Sequence, residues 1–108
     1  MTVRKMSRWM ESVDERILER LASEGDGTAF AISLDVDRTR FHVLHRCRVL
    51  AEAEFVEREQ RGQLEERWAI STWGLLYLAG ELDADLRRPV PGMRPGGRIR
   101  PGWYAGFG

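Results

Sequence analysis

Cysteine and lysine are nearly missing from this 108-residue chain: Cys47 and Lys5 stand alone against 16 Arg. A lone cysteine excludes an internal disulfide framework and fits a reducing compartment. Long apolar runs are absent, and no stretch approaches the roughly 18 residues that a membrane span needs. The first residues lack the apolar core of a signal peptide. The expectation is therefore a cytoplasmic protein with no membrane partner. A glycine-rich phosphate loop is missing, as is any Ser, His and Asp set at a recognisable spacing. The chain is also small for an enclosed substrate pocket. These absences argue against an enzyme, and no cofactor or small-molecule ligand is inferred.

What is present is an uneven distribution of charge. The net charge is zero. Residues 87–108 hold five Arg and no acid, so residues 1–86 hold 12 basic and 17 acidic groups. Inside that acidic body, no acid occurs from Arg38 to Ala51, a stretch that contains four Arg and two His. Binding to a polyanion depends on the local field, so a neutral total does not argue against nucleic acid.

The length suits one domain. Residues 1–10 read as a basic arm or a short leading turn, with Arg4, Lys5 and Arg8 beside Met6, Trp9 and Met10. Ser12 with Glu15 reads as a capping box opening a first helix, and Val13, Ile17, Leu18 and Leu21 recur at helical spacing. Gly25-Asp26-Gly27 ends it. Thr28 caps a short second helix through Leu34, and Asp37 is expected to cap a third over residues 37–53. Val43, Cys47 and Leu50 mark that helix's buried seam. Phe55 to Gln60 and Leu64 to Ile70 read as two strands joined at Gly62, a hairpin whose tip is a wing. Ser71 caps a fourth helix to about Asp85, with Gly74 and Gly80 inside it. Its apolar residues Trp73, Leu75, Leu76, Tyr77, Leu78 and Leu82 exceed what one face of a small domain needs. After Arg88 all four Pro and six of the 11 Gly follow, the composition of an irregular tail.

The order is helix, helix, turn, helix, two-stranded wing, helix. This predicts an α+β, mainly α, winged helix-turn-helix over residues 11–86, flanked by an arm at 1–10 and a tail at 87–108. Specific stretches carry a resemblance: Val13-Asp-Glu-Arg-Ile-Leu-Glu, Arg38-Thr-Arg through Arg46-Cys47 to Leu50-Ala-Glu, Ile70-Ser-Thr-Trp-Gly and Tyr77-Leu-Ala-Gly-Glu-Leu-Asp83. Over residues 11–83 the chain resembles small winged-helix proteins of halophilic archaea related to the phage phi-H repressor. The resemblance implies a transcriptional regulator, commonly dimeric. The tail has no counterpart in that pattern.

In a helix-turn-helix, the N-terminal part of the second helix meets the base edges. With Val43 and Cys47 inward, the opposite face is expected to carry Arg38, Thr39, His42, His45, Arg46 and Val49. Arg38, Thr39 and His42 are the base-reading candidates, Arg46 the phosphate contact, and Arg40 and Arg48 the flanks. Arg61 at the wing tip is a candidate phosphate or minor-groove contact; the bland alternative is an ordinary hairpin turn, because the wing is acidic. The whole run could also be a solvated charged face. His42, His45 and Cys47 do not make a metal site, because Cys47 falls on the apolar seam and four ligands are lacking. Surplus apolar surface on the fourth helix places Trp73, Leu76, Tyr77 and Gly80 in a homodimer contact. The tail is open to three readings: disorder, backbone contact through its Arg, or docking through Trp103, Tyr104 and Phe107. Two functions result. One is a sequence-specific double-stranded DNA-binding regulator, a repressor acting as a homodimer. The other is a protein-docking module, since fold alone does not fix function.

Overall fold

Helix α1 (Ser12–Glu24) forms where apolar residues recur at three- and four-residue spacing, burying Val13, Ile17, Leu18 and Leu21 along one stripe. The computed structural model describes residues 4–59 and 66–86. The start of α1 lies one residue earlier than the Ser12–Glu15 pairing implies. Glu11 is the N-cap, and its backbone N–H donates to Asp14 Oδ2 at 2.9 Å. Asp14 takes this role because it is drawn to the inner face of α1, whereas Ser12 is exposed.

A two-residue strand β1 (Gly27–Thr28) precedes helix α2 (Ala29–Val36), and Thr28 caps α2 by accepting from Ala31 N–H. The cap of helix α3 (Arg40–Glu52) is Thr39, whose hydroxyl accepts from His42 N–H at 3.1 Å. Asp37, expected in that role, instead ends α2: it sits in the left-handed region (φ 58°), and its N–H donates to Ser33 O. A short polar side chain tolerates that conformation better than most.

Helix α3 closes without a glycine. Glu54 takes a positive φ of 69°, Glu54 N–H donates to Ala51 O and Phe55 N–H to Leu50 O, both at 2.9 Å. That pair of bonds is a Schellman closure, and it turns Phe55 into the core. Strands β2 (Val56–Glu59) and β3 (Arg67–Ile70) pair antiparallel, Val56 opposite Ile70 and Arg58 opposite Trp68. On the other edge of β3, Gly27 lies opposite Trp68. The sheet is three-stranded, in the order β1-β3-β2.

Helix α4 (Thr72–Leu78) is half the expected length. Gly80 is not inside it. At φ 79° it follows the helix, with Gly80 N–H on Tyr77 O and Glu81 N–H on Leu76 O, so the helix stops there by the same closure. Gly74 is inside, and a Cβ there would collide with the Phe55 carbonyl and come within 2.7 Å of Ile70 Cγ1. The close approach that glycine permits is thus to this chain's own β2–β3 unit.

A 3-10 turn (Ala84–Leu86) ends the described part. Lys5 bridges Asp83, and Ala84 N–H donates to Lys5 O. Trp9 Nε1–H donates to Ala84 O at 3.1 Å, and the indole tilts against Phe55, which stacks on Tyr77 at 5.4 Å. Residues 4–10 therefore lie along the domain, with Met10 in the core. One core joins α1, α2 and α3 to Phe55, Val56, Trp68 and Tyr77.

Candidate nucleic-acid interface

Helices α2 and α3, with the turn between them, set the candidate site. Val43, Arg46, Cys47 and Leu50 are the buried residues of α3. This seam includes one residue more than the sequence implied, and that residue rotates the exposed face. Arg46 does not reach solvent. Its Nε donates to Asp14 Oδ1 at 2.9 Å, and its Nη2 donates to Asp14 Oδ2 at 2.7 Å and to Trp9 O at 3.0 Å. Glu11 Oε2 lies 3.3 Å from Nη1. The Arg46 side chain is 7% exposed and that of Asp14 0%. The fork of bonds to Asp14 raises the Arg46 pKa above its ordinary value, against the opposing effect of burial. The expected phosphate contact at Arg46 is thus corrected: the guanidinium fixes α3 to α1. A burial signal was present in the sequence, because Asp14 lies on the apolar stripe of α1 and a buried carboxylate demands a cationic partner.

The face opposite this seam carries Phe41, His45 and Arg48, flanked by Arg40 and half-buried Leu44. Phe41 is 71% exposed, and the Arg40 guanidinium lies over its ring, 5.1 Å from the centroid. Phe41 and Leu44 carry no charge, so the charge pattern of the sequence does not mark them. His42 turns aside toward α1, its Nε2 3.1 Å from Glu11 Oε1. Thr39 is exposed but spends its hydroxyl as acceptor on the helix cap. His45 is exposed.

Several cations of the body are engaged by acids: Arg20 with Asp35, Arg67 with Asp26, Arg4 with Glu19. At the wing base, Glu66 holds Arg58 at 3.0 Å and Arg48 at 3.4 Å. Arg38 and Arg40 are set apart by position, at the start of α3. Arg38 donates to the Asp37 carbonyl at 2.9 Å, and Arg40 lies on Phe41. Neither is held by an acid among the described residues. Two guanidinium groups not neutralised by a described acid therefore stand at the N-terminal end of the second helix of the motif, where base edges are met. Arg61 lies outside the described residues, as does the tail.

The remaining expected residues are separated. Cys47 is fully buried, and burial pushes its thiol pKa up to about 12, so it is an inert core residue. Tyr77, placed by the sequence in a dimer contact, is fully buried instead: its hydroxyl donates to Glu15 Oε2 at 2.6 Å. Burial first, then that carboxylate, push the phenol pKa above its ordinary range. Leu76 packs partly against the core. Trp73 and Leu75 are the exposed apolar residues of α4.

A family model described as the winged helix-turn-helix phage repressor matches residues 3–87. The chain belongs to that family. Membership agrees with the four-helix, small-sheet winged-helix architecture and makes the chain a DNA-binding regulator by type. The structure is similar to that of the PhiH1 repressor-like protein from Haloarcula marismortui, with a TM-score of 0.69 and 28% identity, over 83% of this chain and 100% of that one. It is also similar in fold to a mutant of ZitR from Lactococcus lactis solved in complex with DNA, with a TM-score of 0.55 and 19% identity, over 67% of this chain and 50% of that one. No curated protein matches. Among the described residues, no helix of this repressor-family chain is long and apolar enough to cross a membrane.

Proposed function

We infer that the chain is a sequence-specific, double-stranded DNA-binding transcriptional repressor of the cytoplasm. It acts by occupying an operator, with no catalytic step. Helix α3 enters the major groove with its N-terminal end toward the bases. The observation that carries this reading is the position of two guanidinium groups, Arg38 and Arg40, held by no acid among the described residues, at that end of α3. Either can pair bidentately with guanine O6 and N7. His45 and Arg48 lie further along the same face, and Thr39 and His42 sit at its margin. The ZitR mutant, similar in fold, was captured in complex with DNA, which supports the same use of the fold.

The repressor works as a homodimer. Exposed Trp73 and Leu75 with half-buried Leu76 give α4 an apolar surface for the second copy. Two copies of α3 in successive major grooves require half-sites about 34–36 Å apart, one helical turn. The test is selection of the full chain against a randomised duplex pool. An enriched palindrome with half-sites one turn apart supports the dimeric repressor. Weak, sequence-blind binding contradicts specificity, and no duplex binding at low salt contradicts the reading.

A second reading is a protein-docking module. It is favoured by the same exposed apolar side chains on α4 and by the carboxylates of the wing strands. It predicts no duplex binding at any salt concentration.

A further inference from the structure

We propose that Phe41 is a specificity-determining residue that reads the 5-methyl group of a thymine in the operator. This rests on the DNA-binding reading above and names the base chemistry that α3 recognises.

The starting point is an aromatic ring where solvent should be. Phe41 is 71% exposed on the outward stripe of α3, the largest apolar group on that helix to be left in water. It is not isolated. Phe30, on the first turn of α2, is 50% exposed, and together with Leu44 the two rings line an open hollow of about 350 Å³ between α2, α3 and the base of the wing. Arg40 and Arg48 form its rim, and Glu66 borders it on the wing side.

Charge decides what fits this face. Arg40 and Arg48 stand at the edge of the apolar floor, Arg48 3.4 Å from Glu66 and Arg40 with no acid partner among the described residues. A second copy of the chain packed here with the two-fold axis passing by Arg40 would set the two Arg40 side chains against each other, and like charges brought together across an interface are unfavourable. A polyanion reverses the sign. DNA brings phosphates to the Arg rim, and its major groove offers one apolar feature among donors and acceptors, the thymine methyl. Phenylalanine is among the side chains that make that contact. The Arg40 guanidinium over the ring, 5.1 Å from its centroid, places a bidentate donor beside the methyl-contacting surface. Adjacent thymine and guanine recognition follows from this arrangement.

The test uses the full chain and a duplex selected from a randomised pool. Each thymine is replaced in turn by deoxyuridine, which removes one methyl and keeps the pairing edge. Wild-type protein is expected to lose about fourfold in affinity at one thymine of a half-site, the equivalent of one buried methyl, and little elsewhere. Phe41→Ala is expected to bind the thymine and uracil duplexes equally, and Phe41→Leu to keep the preference. The exposure of Phe41 makes both variants fold like wild type, checked by an unchanged melting temperature. A selected duplex indifferent to every replacement overturns the proposal while leaving the repressor reading intact, as does a preference that survives in Phe41→Ala. A failure to select any duplex overturns both. If Phe41→Ala shifts the sedimentation of the DNA-free protein, the ring is a contact between copies of the chain and the proposal fails.

Discussion

Replacing Arg46 with Met leaves a carboxylate stranded in the core. In the native protein Asp14 is 0% exposed and receives both arms of the Arg46 fork, at 2.9 and 2.7 Å. Removing one partner of a buried pair costs about 3–5 kcal/mol, because the other charge remains desolvated. Asp14 keeps one donor, the Glu11 N–H at 2.9 Å, which points to the lower part of that range. The loss is still a large share of the roughly 5–15 kcal/mol that holds a domain together. At about 4–8 °C per kcal/mol for a small domain, melting should fall by at least ~12 °C. Urea unfolding followed by the fluorescence of buried Trp68 should give a lower midpoint at an unchanged slope. Asp14→Leu should cost a similar amount, since it strands the guanidinium. The double variant should recover most of the combined loss, as apolar replacements of buried pairs do. Under conditions where Arg46→Met remains folded, its DNA affinity should match wild type. Single variants that cost under about 1 kcal/mol, or additive losses in the double variant, would refute the buried anchor. A selective loss of DNA affinity would restore Arg46 to the phosphate-contacting set.

Gly74→Ala should destabilise by about 1–3 kcal/mol despite the better helix propensity of Ala, because the methyl meets the Phe55 carbonyl and Ile70; urea titration reads this directly. Thr39→Ala removes the cap of α3 and should cost about 1 kcal/mol, seen as faster amide exchange at His42, whose N–H loses its 3.1 Å acceptor. Cys47 bears on alkaline stability. Folding raises its thiol pKa from 9.0 to about 12, so the folded state favours the neutral form. That contribution is complete below about pH 9 and is lost as pH climbs toward 12. Melting temperature should therefore decline across that window, less steeply in Cys47→Ala, and the thiol should resist alkylation at pH 8 until the protein unfolds.

Most of the architecture was legible because its signals are local. The α1 stripe, the Thr28 cap, the paired strands and the Ser71 cap each declare themselves within a few residues. What escaped was set at a distance or by geometry that has no fixed residue type. Strand β1 is two residues long and exists only because β3 offers it an edge. The positive φ at Glu54 closes α3 with a residue that does not advertise a turn. Gly80 ended a helix it was expected to lie within, taking a positive φ from which the chain goes on to pair Asp83 with Lys5. The α3 face was half legible. Its acid-free run located the helix, and Arg38, Arg40 and His45 do face outward. Arg46 did not, because its partner lies 32 residues away on another helix. One buried Arg rotates the exposed stripe toward Phe41 and Leu44, neither of which a search for charge would select.

Whether α3 is the DNA-reading element is decided by duplex affinity measured against salt for wild type, Arg38→Ala and Arg40→Ala. Wild type should weaken steeply as salt rises. Each variant should lose affinity for its selected duplex, by about 1–3 kcal/mol where the Arg reads a base, or with a salt slope shallower by about one where it meets a phosphate. Affinity and slope unchanged in both variants would mean that α3 does not read DNA.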